Sequence, residues 1–185
     1  MNALDRLTAA LDVPARIVGK AIAWLIFPMV GSLVYEVAAR YAFDAPTIWA
    51  YDMTFMLYGT FFMLGSAWTL QRQGHIRTDS FYANWSRRTR GIVDVLCYLV
   101  FFFPALTIFL VLGWEYFTRS FEQNERIVTS PWLPIVWPFK LVIPVTAALL
   151  LLQGVSELLK SAQAIVQGEA PSADAGGVTT SRGAE

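Results

Sequence analysis

The chain has 185 residues, with 14 Lys plus Arg balanced by 14 Asp plus Glu, so its net charge is zero. Only 15% of it is charged, against about 25% in a typical soluble domain, while 56% is hydrophobic and the mean hydropathy is +0.48. That is more apolar surface than a globule of this size can bury. Net neutrality removes the basic face a nucleic-acid binder needs, and a lone Cys97 excludes an intrachain disulfide framework or a thiolate metal cluster.

A hydrocarbon core about 30 Å thick requires roughly 20 apolar residues in a helix. Val95 to Trp114 is uncharged over 20 residues and Met53 to Leu70 over 18. Ala21 to Tyr35 and Leu141 to Ser156 are also uncharged and continue beyond a single acid each. The fold class is therefore an all-α integral membrane protein of four spans, at about residues 17–40, 48–71, 91–116 and 138–159. Pro28, Pro104 and Pro144 lie inside spans one, three and four and predict kinks rather than breaks.

Ahead of the first span, residues 1–16 place Leu4, Leu7 and Leu11 on one helical face, and Pro14 interrupts the pattern, predicting a short interfacial helix. Asp5 and Asp12 in the would-be basic region, with no A-x-A site after the first apolar run, argue against a cleaved signal peptide. After span two, Arg72 and Gly74 mark a helix end. Asp79 or Ser80 can then cap a second interfacial helix with Phe81, Tyr82 and Trp85 on one side and Arg87, Arg88 and Arg90 on lipid phosphates. Between spans three and four, Pro131, Pro134 and Pro138 with Trp132 and Trp137 predict an extended or broken approach in the headgroup region. The tail, 161–185, is Ala, Gly, Ser and Thr rich from Gly168 and is expected to be largely disordered.

With a cytoplasmic N-terminus, ten cations fall inside and four outside (Arg40, Arg119, Arg126, Lys140), five of the ten in the loop between spans two and three. Both termini are therefore expected in the cytoplasm. Ionisable residues near the spans are Glu36, Asp52, Asp94, Glu115, Lys140 and Glu157, each near a span end where headgroups or partners are in reach. Arg40 and Asp52 are placed to pair between neighbouring helices at the outer surface. No cluster of carboxylates and hydroxyls converges near the midplane, as a coupling-ion site requires.

His75 is the only histidine, so two-histidine haem ligation cannot be assembled within the chain, and zinc and Ser-His-Asp sites are unsupported. No Walker-type sequence is present. The expectation is a protein that is not an enzyme and carries no cofactor or metal. Small residues in span two (Gly59, Thr60, Gly65, Ser66, Ala67) and span four (Ala147, Ala148, Gly154) permit close helix approach, within the chain or to a partner.

Several motifs in order, Arg40-Tyr41-x-Phe43, Pro46, Trp49 and Asp52, then Gly74-His75-Ile76-Arg77-x-Asp79, Gly113-Trp114 and the approach from Pro134 to Pro144, closely resemble the small membrane subunit of tripartite ATP-independent periplasmic (TRAP) transporters. The resemblance runs from about residue 17 to residue 160, with one acid where the family often has two after the tryptophan. It implies a small permease subunit in the bacterial inner membrane that braces the scaffold of a large membrane subunit. The large subunit carries sodium-coupled uptake of a substrate, here a small organic acid, delivered by a periplasmic binding protein. The implied partners are that large subunit, the binding protein and membrane phospholipids, with no nucleic acid.

Arg40, Trp49, Asp52, Gly74, His75, Arg77, Asp79 and Pro144 are then structural or interface positions. The outward, polar Asp44, Glu122 and Glu125 are candidates for docking the binding protein. The competing reading is a self-contained, proton-coupled small exporter working as a homo-oligomer through Glu36 or Asp52. A third is a cofactor-binding respiratory anchor whose missing ligands come from a partner.

Overall fold

In a computed structural model, which describes residues 3–72 and 87–167, the ends and breaks of the helices follow from proline and cap chemistry. The helices α1 (Ala3–Ala23) and α2 (Ile26–Ala42) make one nearly continuous rod. Its break at Trp24 and Leu25 traces to Pro28. Proline has no amide to offer the Trp24 carbonyl, which instead accepts from the Phe27 amide at 3.3 Å. The Trp24 and Leu25 amides tighten the same turn by reaching three residues back, to Ala21 at 3.2 Å and Ile22 at 2.8 Å.

Pro14 does not end the N-terminal helix, contrary to the sequence expectation, for α1 runs through it to Ala23. One internal proline removes a single hydrogen bond, and Thr8 on one side of it and Ala15 on the other are both buried against the bundle. The apolar stripe of this segment is also turned the other way from that of a soluble helix. Leu4 and Leu7 are exposed while the polar Thr8 is buried.

The remaining elements are α3 (Ala50–Gln71), α4 (Arg87–Cys97), a π-helical turn (Tyr98–Phe102), α5 (Phe103–Glu122) and α6 (Trp137–Gln167). The π-helical turn lies just before Pro104. Pro104 cannot donate to the Val100 carbonyl, the helix widens there, and the Phe103 amide reaches the Tyr98 carbonyl. At the other end of α5, Asn124 takes the left-handed conformation (φ 46°), with Glu125 N donating to Ser120 O at 3.0 Å and Asn124 N to Phe121 O at 3.1 Å. This is a Schellman cap with asparagine in place of glycine.

The segment after this cap is tighter than the extended or broken approach the prolines predict. Ile127 N donates to Pro134 O at 3.1 Å and Val136 N to Glu125 O at 3.0 Å, and Arg126 bridges Ile135 in antiparallel fashion. Prolines 131 and 134 cannot donate, but Pro134 still offers its carbonyl, so a short hairpin-like tie closes around them.

Helix α6 is the centre, with α1, α3, α4 and α5 all packed on it, while α2 rests mainly on α3. The helices therefore form an open layer around α6, with large hydrophobic side chains exposed along α2 and α5. The core sets alanines against aliphatic side chains: Ala15, Ala67 and Leu149 are buried, with Val18, Leu64 and Leu150 packed on them. Small residues set the helix spacing. A Cβ at Gly113 would stand 2.8 Å from Ile143 Cγ2 and 3.5 Å from Pro144 N, and one at Gly154 would collide with the Phe102 ring.

Among the described residues, three helical stretches are long and apolar enough to cross a membrane: Leu4–Ala42, Gly91–Glu122 and Trp137–Gln163. Helix α3, at the position of the expected second span, is not among them. Its 22 residues include Asp52, Tyr58, Trp68 and the hydroxyls of Thr54, Thr60, Ser66 and Thr69, which lower its hydropathy. Substituting Gly113→Leu should cost about 1–3 kcal/mol through overpacking against Ile143 and Pro144. Gly31→Leu, where an added Cβ meets nothing within 4 Å, serves as the control in thermal unfolding of the detergent-solubilised protein.

Candidate functional site

At the helix ends that meet the α2 to α3 and α5 to α6 connections, polar ties hold those connections. Glu36 sits one helical turn before Arg40, and this i, i+4 spacing brings the guanidinium onto its carboxylate, with Arg40 Nε at 2.9 Å from Oε1. The other oxygen, Oε2, accepts from the Thr47 amide at 2.9 Å and from the Thr47 hydroxyl. Glu36 thereby pins the α2 to α3 connection, in which Asp44 takes a left-handed conformation (φ 51°). Trp49, at the start of α3, stacks on Tyr35 of α2 with ring centroids 5.6 Å apart.

One turn into α3, Asp52 accepts the hydroxyl of Ser130 from the loop before α6, and the same Ser130 oxygen accepts from the Trp132 amide at 3.2 Å. The expected Arg40 and Asp52 pair is thus not formed. Arg40 is taken by the nearer Glu36 on its own helix, and Asp52 is turned toward the outer loop. Lys140, 6% exposed, pairs with Glu125 and lies 3.8 Å from the Tyr116 ring centroid. The Lys140 ammonium beside it holds the Glu125 carboxyl below the usual carboxylate range.

A second cluster lies toward the other end of α6. Gln153, Ser156, Glu157 and Lys160 are spaced i, i+3, i+4 and i+7, so they share one face. They meet Asp12 of α1. Asp12 Oδ1 accepts from Gln153 Nε2 at 2.9 Å and Ser156 Oγ at 2.6 Å, and Oδ2 accepts from Lys160 Nζ at 2.8 Å. Lys160 also donates to Glu157 Oε1 at 2.9 Å, and Gln153 Nε2 reaches the same oxygen at 3.3 Å. The Asp12 backbone carbonyl accepts from Gln71 Nε2 at the end of α3, at 3.0 Å. Three helices are joined at one carboxylate-bearing residue. Gln153 and Ser156 are fully buried, and Gln153 Oε1 has no hydrogen-bond partner among the described residues.

The sequence does not display this network, because Asp12 falls in the N-terminal segment and Glu157 near a span end, most of the chain apart. The available signal was the four-residue polar face on an otherwise apolar helix. Of the expected positions, Arg40, Trp49 and Asp52 lie together at the outer end, and Pro144 is buried in α6 against Gly113. Asp44 and Glu122 are exposed, whereas the Glu125 carboxylate is engaged by Lys140. Gly74, His75, Arg77 and Asp79, the second interfacial helix up to residue 86 and the tail from Gly168 lie outside the described residues. Among the described residues, no three His, Cys, Asp or Glu side chains are grouped to hold a metal ion.

Asp12→Ala removes the shared acceptor of Lys160, Gln153 and Ser156, leaving the first two only Glu157, and should cost about 1–3 kcal/mol, less than for a fully buried pair because Lys160 keeps 27% side-chain exposure. Thermal unfolding checks this, and Asp12→Ala with Lys160→Met should fall short of the sum of the two. Glu125, with its lowered pKa, stabilises the fold above the ordinary 4.5 of a free Glu. That contribution is lost as the pH falls through the lowered value. An unfolding series below pH 4.5 should show a loss in the native protein that Glu125→Gln does not share.

No curated protein matches the chain closely enough to count as a relative. The family described as tripartite ATP-independent periplasmic transporters, DctQ component, matches residues 29–164, from α2 to the last turns of α6 and so including both polar clusters apart from Asp12. Over nearly three quarters of its length, with apolar helices long enough to cross a membrane, this chain belongs to the DctQ-component family of TRAP transporters.

Proposed function

We propose that the chain is the small permease subunit of a TRAP-type secondary transporter, bracing the static scaffold of the large membrane subunit. The transport it serves is sodium-coupled uptake of a small organic acid delivered by a periplasmic binding protein. The observation that carries the reading is the placement of polar groups. They tie helix ends to one another, through Glu36, Asp52 and Lys140 at one end and Asp12 and Lys160 at the other. An open helical layer with clasped ends and large apolar faces suits a brace, whereas a carrier needs a polar path between two gates.

In this reading α3 is the second of four spans, its uncharged stretch Met53 to Leu70 packed on by α1, α2 and α6. Both termini are cytoplasmic, by the ten to four excess of inner cations. The loop that carries Gly74, His75, Arg77 and Asp79 is then cytoplasmic, and Arg87, Arg88 and Arg90 are its expected phosphate-binding cations. Asp44 and Glu122, exposed at the outer surface, dock the binding protein. Glu125 contributes by holding the loop on Lys140. Glu36 has both carboxylate oxygens occupied, which disfavours its use as an exchanging proton carrier.

Purification of a tagged copy from native membranes in mild detergent should recover a much larger polytopic protein in about equal amount, identified by mass spectrometry as a large TRAP subunit. Recovery of the chain alone, as a stable homo-oligomer that moves substrate in liposomes, would overturn the proposal. Charge reversal at both Asp44 and Glu122 should weaken the binding protein's affinity for the complex by about fivefold or more. An unchanged affinity would remove these two residues from the docking surface.

A further inference from the structure

Arg16, Lys20 and Arg72 have no acid, although every described cation at the opposite end of the helices has a polar partner. There, Arg40 is paired with Glu36, Arg119 with Glu115 and Lys140 with Glu125, and Arg126 donates to the Leu133 carbonyl at 3.2 Å. Arg16, Lys20 and Arg72 are exposed, and none of them is paired with a carboxylate among the described residues. Asp12, one turn before Arg16, has both carboxylate oxygens turned to α6. The sequence after Arg72 offers no acid before Asp79.

These cations gather around one indole. Gly19 lies between Arg16 and Lys20 on α1, and Trp68 of α3 is seated on it so closely that a Cβ at Gly19 would collide with the ring. Arg72, one turn after Trp68, stacks on the same ring with Cζ 4.5 Å from its centroid. Arg16 precedes Gly19 by three residues and Lys20 follows it directly, so both rise beside the α1 to α3 contact within side-chain reach of that ring. Trp24 follows Lys20 by four residues and so lies on the same side of the rod, and Phe27 packs against it with ring centroids 5.5 Å apart. Both rings are exposed.

Like charges crowded at the edge of a hydrocarbon layer repel one another unless an anion joins them. The occupant must bring net negative charge to Trp68 and apolar length along Trp24 and Phe27. An acidic phospholipid has both. A free phosphate ion lacks the second, and a zwitterionic phospholipid offsets the first with its own ammonium.

We infer that Arg16, Lys20 and Arg72, with Trp68 as their platform, bind the phosphodiester head of an acidic phospholipid whose acyl chains run along Trp24 and Phe27. The inference rests on the membrane-spanning arrangement proposed above, in which this end of the helices meets the cytoplasmic headgroups. It does not depend on which solute is carried.

The test uses the full-length chain, with whatever subunits accompany it, in nanodiscs of phosphatidylcholine holding a minority of phosphatidylglycerol with the same acyl chains. The photoreactive residue benzoylphenylalanine is placed at Trp24 or, as the control at the far end of α2, at Tyr41. After irradiation, adduct masses at Trp24 should show phosphatidylglycerol enriched about fivefold or more over its share of the bilayer, and at Tyr41 a ratio close to that share. Arg16→Gln, Lys20→Gln and Arg72→Gln together should remove the enrichment, and added inorganic phosphate should leave it in place. The inference is overturned if Trp24 and Tyr41 give the same lipid ratio, a comparison that decides the matter even where the triple variant fails to fold. It is equally overturned if the folded triple variant keeps the enrichment, or if inorganic phosphate abolishes it, which would make this a site for a free anion. Co-purification of a large subunit does not enter the readout, so the small-subunit reading stands or falls separately.

Discussion

The carboxylate of Asp12 is the point on which the inner half of the molecule depends. It lies on the long rod of α1 and α2, faces the polar side of α6, and takes hydrogen bonds from an amide, a hydroxyl and an ammonium group of that helix. Its backbone carbonyl holds the end of α3 through Gln71. In a hydrocarbon surround apolar helices gain little from one another, because lipid solvates them equally well. Directional bonds between otherwise apolar helices then select one arrangement, since any slip of α1 along α6 would carry the Asp12 carboxylate away from Gln153, Ser156 and Lys160.

The outer half uses the same device on shorter segments. Glu36 closes the α2 to α3 connection on itself, Ser130 ties the last loop to α3, and Lys140 holds that loop through Glu125 beneath the Schellman cap of α5. With both ends fastened, the middle needs only close packing, and small residues provide it: Gly113 admits Pro144, Gly154 admits Phe102, and Ala67 and Ala147 are fully buried.

Proline had opposite outcomes at different positions, and the reason is local. Pro28 opened the helix because the turn at Trp24 and Leu25 could re-form bonds three residues back. Pro104 produced a widened turn instead, the Phe103 amide reaching five residues back to Tyr98. Pro14 left α1 unbroken, its flanks held by Thr8 and Ala15 against the bundle. A sequence shows that a carbonyl loses its donor. What that carbonyl finds afterwards depends on neighbours remote in the chain.

Composition and the spacing of uncharged runs were enough to establish a helical membrane protein, because the need to satisfy every backbone group in lipid leaves few alternatives. The ordered motifs from Arg40 to Pro144 were enough to point to the family. Pairing was beyond their reach. Arg40, Glu36 and Asp52 are all within reach of one another along the chain, and only the direction in which α3 turns Asp52 decided that Glu36 takes the arginine and Ser130 the aspartate. Asp12 and Lys160 are separated by most of the chain, and their meeting follows from the antiparallel packing of α1 on α6, which no local pattern encodes. The same holds for the small residues of α3: Gly59 and Gly65 look alike in sequence, yet tertiary packing set Gly59 against Phe139 and left Gly65 open, because only one face of a helix can turn toward α6.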